Sequence, residues 1–329
     1  MILIFLWHFI LVFLILWLLK YVILLLILFD DKTNIGWIIL KTLRKTNNYD
    51  PTNTDLRNLT RNFYLTMPNK ETVAVWHTLP NSISDEMRKH KTKLNSSAFE
   101  LALSNNTNHK VFIYCHGVLG YRGNTKSVEL INFMGDRDAH SFAIDYRGFA
   151  DTTGEFSEVK CYEDLKFVYK YVHKFAPNRI GLWGHGMGAA IAAKVAAELS
   201  EEGIPPTSVV LESPFTNFLD AVLELPLISS SRLITPYLKK FLQYFPQVTN
   251  KMATDRLFTQ IGCLIVLLHS KDDSIYPYYM SQQLYLLARE NEMTCRLYLF
   301  DESFGLGHFN IIKTPDMKHI YNTIVATDT

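Results

Sequence analysis

One stretch, RIGLWGHGMGAAIAAKVAAEL at residues 179–199, constrains the fold more than any other part of the chain. A short apolar run at 180–183 leads into Gly184-His-Gly-Met-Gly188, and an Ala-rich run of helical character follows. That is a strand, a sharp turn and a helix. The turn has the spacing of a Gly-x-Ser-x-Gly nucleophile elbow, whose middle residue sits at the apex of a strained backbone. Here the middle residue is Gly186. Glycine accepts the strained conformation more easily than serine does, but it has no side chain with which to attack a carbonyl. The chain therefore carries the turn without the group that the turn exists to present.

The rest of the sequence supplies the setting for such a turn. Strand-like runs at 72–78, 111–115, 141–145, 208–211, 263–269 and 296–300 alternate with helical runs near 128–134, 163–175 and 278–289. Alternation of this kind predicts right-handed βαβ units and a mostly parallel sheet flanked by helices. In these sheets function gathers at the C-terminal ends of the strands. The polar motifs of the chain all follow strand-like runs.

A nucleophile elbow works with an acid and a histidine that come later in the chain. After the apolar run at 264–268 comes His269-Ser-Lys-Asp-Asp-Ser-Ile-Tyr-Pro277, in which Asp273 has the better spacing for the acid and Asp272 is its rival. His308, in Gly305-Leu-Gly-His-Phe309 after the last strand-like run, is the candidate base. A carboxylate on one ring nitrogen would fix its tautomer and leave the other free to take a proton. Backbone N–H groups of Met187, just after the apex, and of Val118, in Cys115-His-Gly-Val-Leu-Gly120, are placed to form an oxyanion hole. Asp145-Tyr-Arg-Gly148 reads as a tight turn with an arginine tied into the fold.

Composition narrows the remaining classes. Of 329 residues, 48% are hydrophobic, enough for a large core, and a net charge of +1 gives no electrostatic case for nucleic acid. A phosphate-binding Gly-rich loop, a CxxC pair and His-Glu-x-x-His are all absent, so no cofactor and no metal is expected. Cys115, Cys161, Cys263 and Cys295 have no scaffold spacing and read as free thiols.

The N-terminus adds a membrane. Residues 2–29 are almost wholly apolar, broken only by His8 and Lys20. About 20 such residues span a bilayer, and the run lacks the basic start, short apolar region and small-residue cleavage site of a signal peptide. It is expected to be a retained single-pass anchor, with 30–70 as linker and 71–329 as the globular domain. Lys32, Lys41, Arg44 and Lys45 after the run favour a cytosolic domain. Sequons at Asn58, Asn95 and Asn105 favour the opposite side. The segment at about 214–255, rich in Leu, Phe, Tyr and Pro, falls where such folds insert a cap. It either lines an acyl pocket or is a set of packed helices.

Taken together, His116-Gly117, Asp145-Tyr-Arg-Gly-Phe-Ala-Asp-Thr-Thr-Gly154, Trp183-Gly-His-x-Met-Gly188, Leu211-Glu-Ser-Pro-Phe-Thr-Asn217, His269-Ser-Lys-Asp-Asp273 and Gly307-His308 resemble the α/β-hydrolase-domain lipases. Within them, the chain is similar to the membrane-anchored lysophosphatidylserine and monoacylglycerol lipases over about residues 70–325. The resemblance implies an α/β-hydrolase fold, a catalytic domain facing the endoplasmic reticulum lumen and membrane-derived single-chain glycerolipids as ligand or substrate. It tips the expected topology to lumenal, although almost no chain precedes the anchor. It gives no protein partner. Gly186 is the departure from it, and two readings stand: a lipid esterase by descent, or a lipid-binding or regulatory protein without turnover.

Overall fold

The computed structural model of the chain describes residues 2–29, 50–105, 108–225, 228 and 233–326. The long helix α1 (Ile2–Phe29) comes first. It is followed by β1 (Thr60–Thr66), β2 (Thr72–Thr78), α2 (Asn81–Lys89), α3 (Ser96–Asn105), β3 (Val111–Cys115), α4 (Thr125–Asp136), β4 (His140–Asp145), α5 (Glu158–His173), β5 (Ile180–His185), α6 (Met187–Glu201) and β6 (Ser208–Glu212). Short helices α7 (Phe218–Glu224), α8 (Thr235–Leu242), α9 (Pro246–Thr249) and α10 (Thr254–Leu257) form an insertion, the cap. Then come β7 (Leu264–Ser270), α11 (Tyr279–Glu290), β8 (Cys295–Phe300) and α12 (Met317–Val325).

The strands form one sheet in the order β1-β2-β4-β3-β5-β6-β7-β8. β1 and β2 run antiparallel to their neighbours, and every pairing from β4 to β8 is parallel. β3, β5, β6 and β7 are buried along their whole length, which explains their unbroken apolar runs. From β3 the chain moves outward to β4, then crosses back to β5 on the other side. The crevice beyond β3 and β5 is thus the switch point at which open α/β sheets place their ligands. One apolar layer, under α5 and α6, packs on one face of the sheet, and a second, under α4 and α12, packs on the other.

The linker expectation needs correction. β1 pairs with β2 over seven residues, so 60–66 belongs to the sheet and the globular domain begins before residue 71. β1 is an edge strand with every other residue exposed and with Arg61 and Asn62 in it, so it lacks the apolar density that marks a central strand. Residues 30–49, including Lys32, Lys41, Arg44 and Lys45, lie outside the described residues.

Asn58 also departs from expectation. It is 8% exposed, and its side-chain amide donates to the Leu79 carbonyl at 2.9 Å. It cannot carry a glycan in this fold. Asn95 and Asn105 are exposed. The four cysteines are free, with Cys115 and Cys161 buried.

Arg147 does what the turn at 145–148 suggested. It is 1% exposed and bonds Asp164, Glu71 at 2.8 Å and Glu163 at 2.6 Å, joining the turn to α5 and to the approach to β2. Asp145 accepts the Arg122 backbone N–H at 2.7 Å and pairs with its guanidinium.

Among the described residues, α1 packs on the body near its C-terminal end. Leu24 and Leu28 are buried in an apolar cluster with Leu219, Val222, Leu242 and Val248 of the cap. Lys251 donates from Nζ to the Leu28 carbonyl at 2.9 Å, satisfying one of the bare carbonyls at the helix end. Earlier residues of α1 such as Trp7, Phe9 and Phe13 are exposed, and the stretch Trp7–Leu26 is long and apolar enough to cross a membrane. α1 is the candidate membrane span.

Candidate active site

The sequence places Gly186 at the apex, and the geometry there is that of an elbow. Its φ is 55° and ψ −114°, between the end of β5 and the first residue of α6. Its N–H donates to the Glu212 carbonyl at the end of β6, at 2.9 Å. The flanking glycines have a different purpose. A Cβ at Gly188 would lie 2.0 Å from the Cys115 carbonyl oxygen, and one at Gly184 would lie 2.2 Å from the Gly188 oxygen. They let α6 approach β3 to backbone contact. The Ala-rich sequence of α6, with Ala189, Ala190, Ala192 and Ala193 buried, continues that close packing.

Gly186 is different because it has space. A Cβ there would be 3.5 Å from His308 Nε2 and 3.7 Å from Tyr276 Cε2, ordinary contact distances. His308 Nδ1 lies 2.7 Å from Asp273 Oδ2. The carboxylate accepts the Nδ1 proton, which leaves Nε2 facing the apex as the basic nitrogen. Asp273 Oδ1 accepts the N–H groups of Ile275 and Tyr276 at 2.8 and 2.9 Å. Burial alone would raise the Asp273 carboxyl. Hydrogen bonds from His269 and His308 outweigh it and hold the group well below the usual carboxylate range. Asp273 stays ionised against the imidazole.

The rivalry between the two acids is a matter of position. Asp272 accepts the Gly307 N–H at 2.9 Å and the Ser270 hydroxyl. It fixes the loop that carries His308 and does not touch the ring.

Met187 is the first residue of α6, where helix N–H groups have no acceptor within the helix. Val118 lies in the loop after β3, which is pressed against the elbow. A Cβ at Gly117 would lie 2.9 Å from His185 Nδ1. His116, buried between Tyr146 and Phe149, holds that loop from below. Of the five positions expected from the sequence, Gly186, His308 and Asp273 are brought together by these contacts; Met187 follows the apex directly, and Val118 follows Gly117, whose loop packs on His185.

Three further residues support the site; His185 and His269 lie in motifs read from the sequence and Lys126 in none, but no sequence pattern assigned any of them a task. His185 is 3% exposed, and its Nε2 donates to the His308 carbonyl at 2.9 Å. Burial, and then the neighbouring charges of Lys126 and His308, push it well below its ordinary value, so it is neutral. His269 lies behind Asp273, with Nε2 3.2 Å from Oδ2 and Nδ1 2.6 Å from the Ser281 hydroxyl. Lys126 donates to Glu212 at 2.5 Å and to the Phe309 carbonyl at 3.0 Å, bracing the histidine loop against β6. Each stands at a strand end or on a helix facing the site, and only the three-dimensional arrangement gives them these tasks.

Two cavities of about 230 and 200 Å³ run along the cap. The larger is lined by Asn217, Asp220, Lys239, Asp255 and Arg256, a polar set that does not suit an acyl chain, and neither cavity includes His308. The cap segment is, in these parts, packed short helices. Among the described residues no group of three or more His, Cys, Asp or Glu is placed to hold a metal ion.

The geometry agrees with the comparisons to known proteins. Residues 106–261 match the family Hydrolase_4, described as serine aminopeptidase, S33. Lysophosphatidylserine lipase ABHD12 of Gallus gallus is 30% identical over 268 residues, which are 80% of this chain and 69% of that protein. Its counterpart in Danio rerio is 29% identical, with the same 80% and 69% covered. Among solved structures, the esterase Pf2001 of Pyrococcus furiosus superposes with a TM-score of 0.58 at 18% identity, covering 87% of this chain and 94% of that one, a likeness of fold alone. With that identity and coverage added to the sheet order and the strand-end site, the chain belongs to the α/β-hydrolase family of the lysophosphatidylserine lipases.

Proposed function

We propose that the chain is a membrane-anchored member of this lipase family that holds a single-chain glycerolipid, a lysophospholipid or monoacylglycerol, without turning it over at an enzymatic rate. The observation that carries the reading is the bare apex at Gly186 beside an intact Asp273–His308 pair. The ester carbonyl of a bound lipid would rest against the N–H groups of Met187 and Val118, with His308 Nε2 close by. Among the described residues, the three atoms nearest an apex Cβ are His308 Nε2, Tyr276 Cε2 and His308 Cε1, none of them an oxygen or sulfur that could form an acyl-enzyme. By analogy with hydrolases stripped of their serine, residual catalysis would be on the order of a thousand-fold over water and roughly a million-fold below a working enzyme. The names of the relatives support the ligand class.

The test is Gly186→Ser. Its hydroxyl would lie within hydrogen-bond reach of Nε2, at a backbone cost of about 1–3 kcal/mol. The parent chain should resist a fluorophosphonate probe and leave a lysophospholipid panel intact. The Ser variant should label and hydrolyse, and His308→Ala in that background should abolish both. Fast turnover by the parent chain would reveal another nucleophile and overturn the reading.

We further propose an endoplasmic reticulum location with the globular domain lumenal. The family and the exposed Asn95 and Asn105 support it. Endoglycosidase should shift the mobility of the membrane form, Asn95→Gln with Asn105→Gln should abolish the shift, and Asn58→Gln should not. A protein without glycans whose domain is digested outside sealed microsomes would instead be cytosolic.

A further inference from the structure

The cap carries an apolar face that no part of the described chain covers. Leu233 is 87% exposed, Tyr237 76%, Phe241 56% and Tyr244 76%. On and around α8 these positions recur at three or four residues, so they lie along one side of the helix. The opposite side is spent inward: Leu242 is buried, and Leu238 packs on the cluster that contains Leu24 and Leu28 of α1. α8 is therefore an amphipathic helix clamped between the end of α1 and the solvent. Two lysines, Lys239 and Lys240, fall on it; Lys239 pairs with Asp220 at 2.6 Å and Lys240 is exposed.

The length of α1 indicates what the bare face meets. Its 28 residues span about 42 Å at roughly 1.5 Å per residue. The hydrocarbon layer takes about 30 Å, or some 20 residues. The stretch Trp7–Leu26 matches that length, and α1 packs on the cap at the C-terminal end of the stretch, through Leu24 and then Leu28. Lys20 lies over the rings of Trp17 and Tyr21, a grouping suited to the head-group level. The cap thus packs against the C-terminal end of the candidate span.

We propose that the outward face of α8 and its flanks, Leu233, Tyr237, Phe241 and Tyr244, lies in the head-group layer of the bilayer that α1 enters, as a second membrane contact beside the span. Aromatic and aliphatic side chains on one face, with lysine on the borders, are the chemistry of a helix lying in the interface. Lysine near the surface favours anionic lipid. The contact would hold the C-terminal ends of the strands, and with them the site beneath the cap, towards the membrane that supplies its ligand. The inference rests on the anchored reading of α1.

The test uses the full chain in phosphatidylcholine vesicles with a minor fraction of phosphatidylserine. An environment-sensitive fluorophore is attached at Tyr237→Cys, at Phe241→Cys, at Val12→Cys within α1, and at Leu101→Cys. The last is an exposed position on α3, whose Leu103 carbonyl bonds Arg179 just ahead of β5, at the end of the sheet away from the site. The parent chain measures labelling of the native cysteines. Quenching by lipids spin-labelled near the head group should be several-fold stronger at 237 and 241 than at 101. Quenching at 12 by deep-labelled lipids with none above the 101 level at 237 and 241 overturns the cap contact and leaves the anchor standing. No quenching at 12 overturns the anchor itself. If 237 and 241 are shielded from both water and lipid and cross-link between chains, a second copy covers the face and the proposal fails.

Discussion

The two sides of the site have fared differently. On the base side, His308 is held by Asp273 at its ring, by His185 at its carbonyl and by Asp272 through the neighbouring Gly307 N–H. On the apex side the backbone is equally well held, with Gly186 N–H on Glu212, but the residue there has no side chain. The difference shows that an elbow is maintained by its neighbours. The apex conformation is imposed by β5, β6 and the close packing of α6, and none of these needs the serine hydroxyl. The base side has less freedom, because His308 Nδ1 has its partner in the buried Asp273, and removing the carboxylate would leave that N–H unsatisfied.

The largest effect that sharpens this contrast follows once Ser has been restored at 186. In that background Asp273→Asn should lower hydrolysis by about ten-thousand-fold, since the imidazole would lose the partner that fixes its tautomer. Asp272→Asn keeps an acceptor for Gly307 and should cost less than about tenfold, or ~1.4 kcal/mol of barrier. Steady-state rates on a lysophospholipid decide it. Equal losses from the two substitutions would mean that the acid has been misassigned.

A smaller effect concerns stability and needs no activity. Gly186→Ala should fold with a penalty of about 1–3 kcal/mol for its positive φ, because the Cβ finds ordinary contacts. Gly188→Ala would drive a Cβ against the Cys115 and His116 carbonyl oxygens, both backbone atoms, and should cost more than that or prevent folding. In a domain of this size each kcal/mol moves Tm by roughly 2–4 °C, so thermal unfolding will rank the pair. A reversed order would break the claim that the apex alone is roomy.

Much of this was legible beforehand for a physical reason. β3, β5, β6 and β7 are buried on both faces, so their apolar runs stand out. A triad is read from chain order, because each member follows a particular strand. β1, α2 and α3 were not legible. Their faces are half exposed, and their sequences, such as NSISDEMRK, carry too few apolar residues to signal a period. The sequon at Asn58 misled because a sequon is a local pattern, whereas access to it depends on α2 and the loop at Leu79.

The sequence by itself determined the class of sheet, the candidate span and the glycine-rich turn with Gly186 at its centre, since these depend on local pattern and residue identity. Only the tertiary structure decided that Asp273 and not Asp272 reaches His308, that His185 and His269 brace the pair, and that the end of α1 packs against the cap. Those depend on contacts between residues from 4 to more than 200 positions apart, and distances of that kind are set by how the strands stack and twist, which no local pattern encodes.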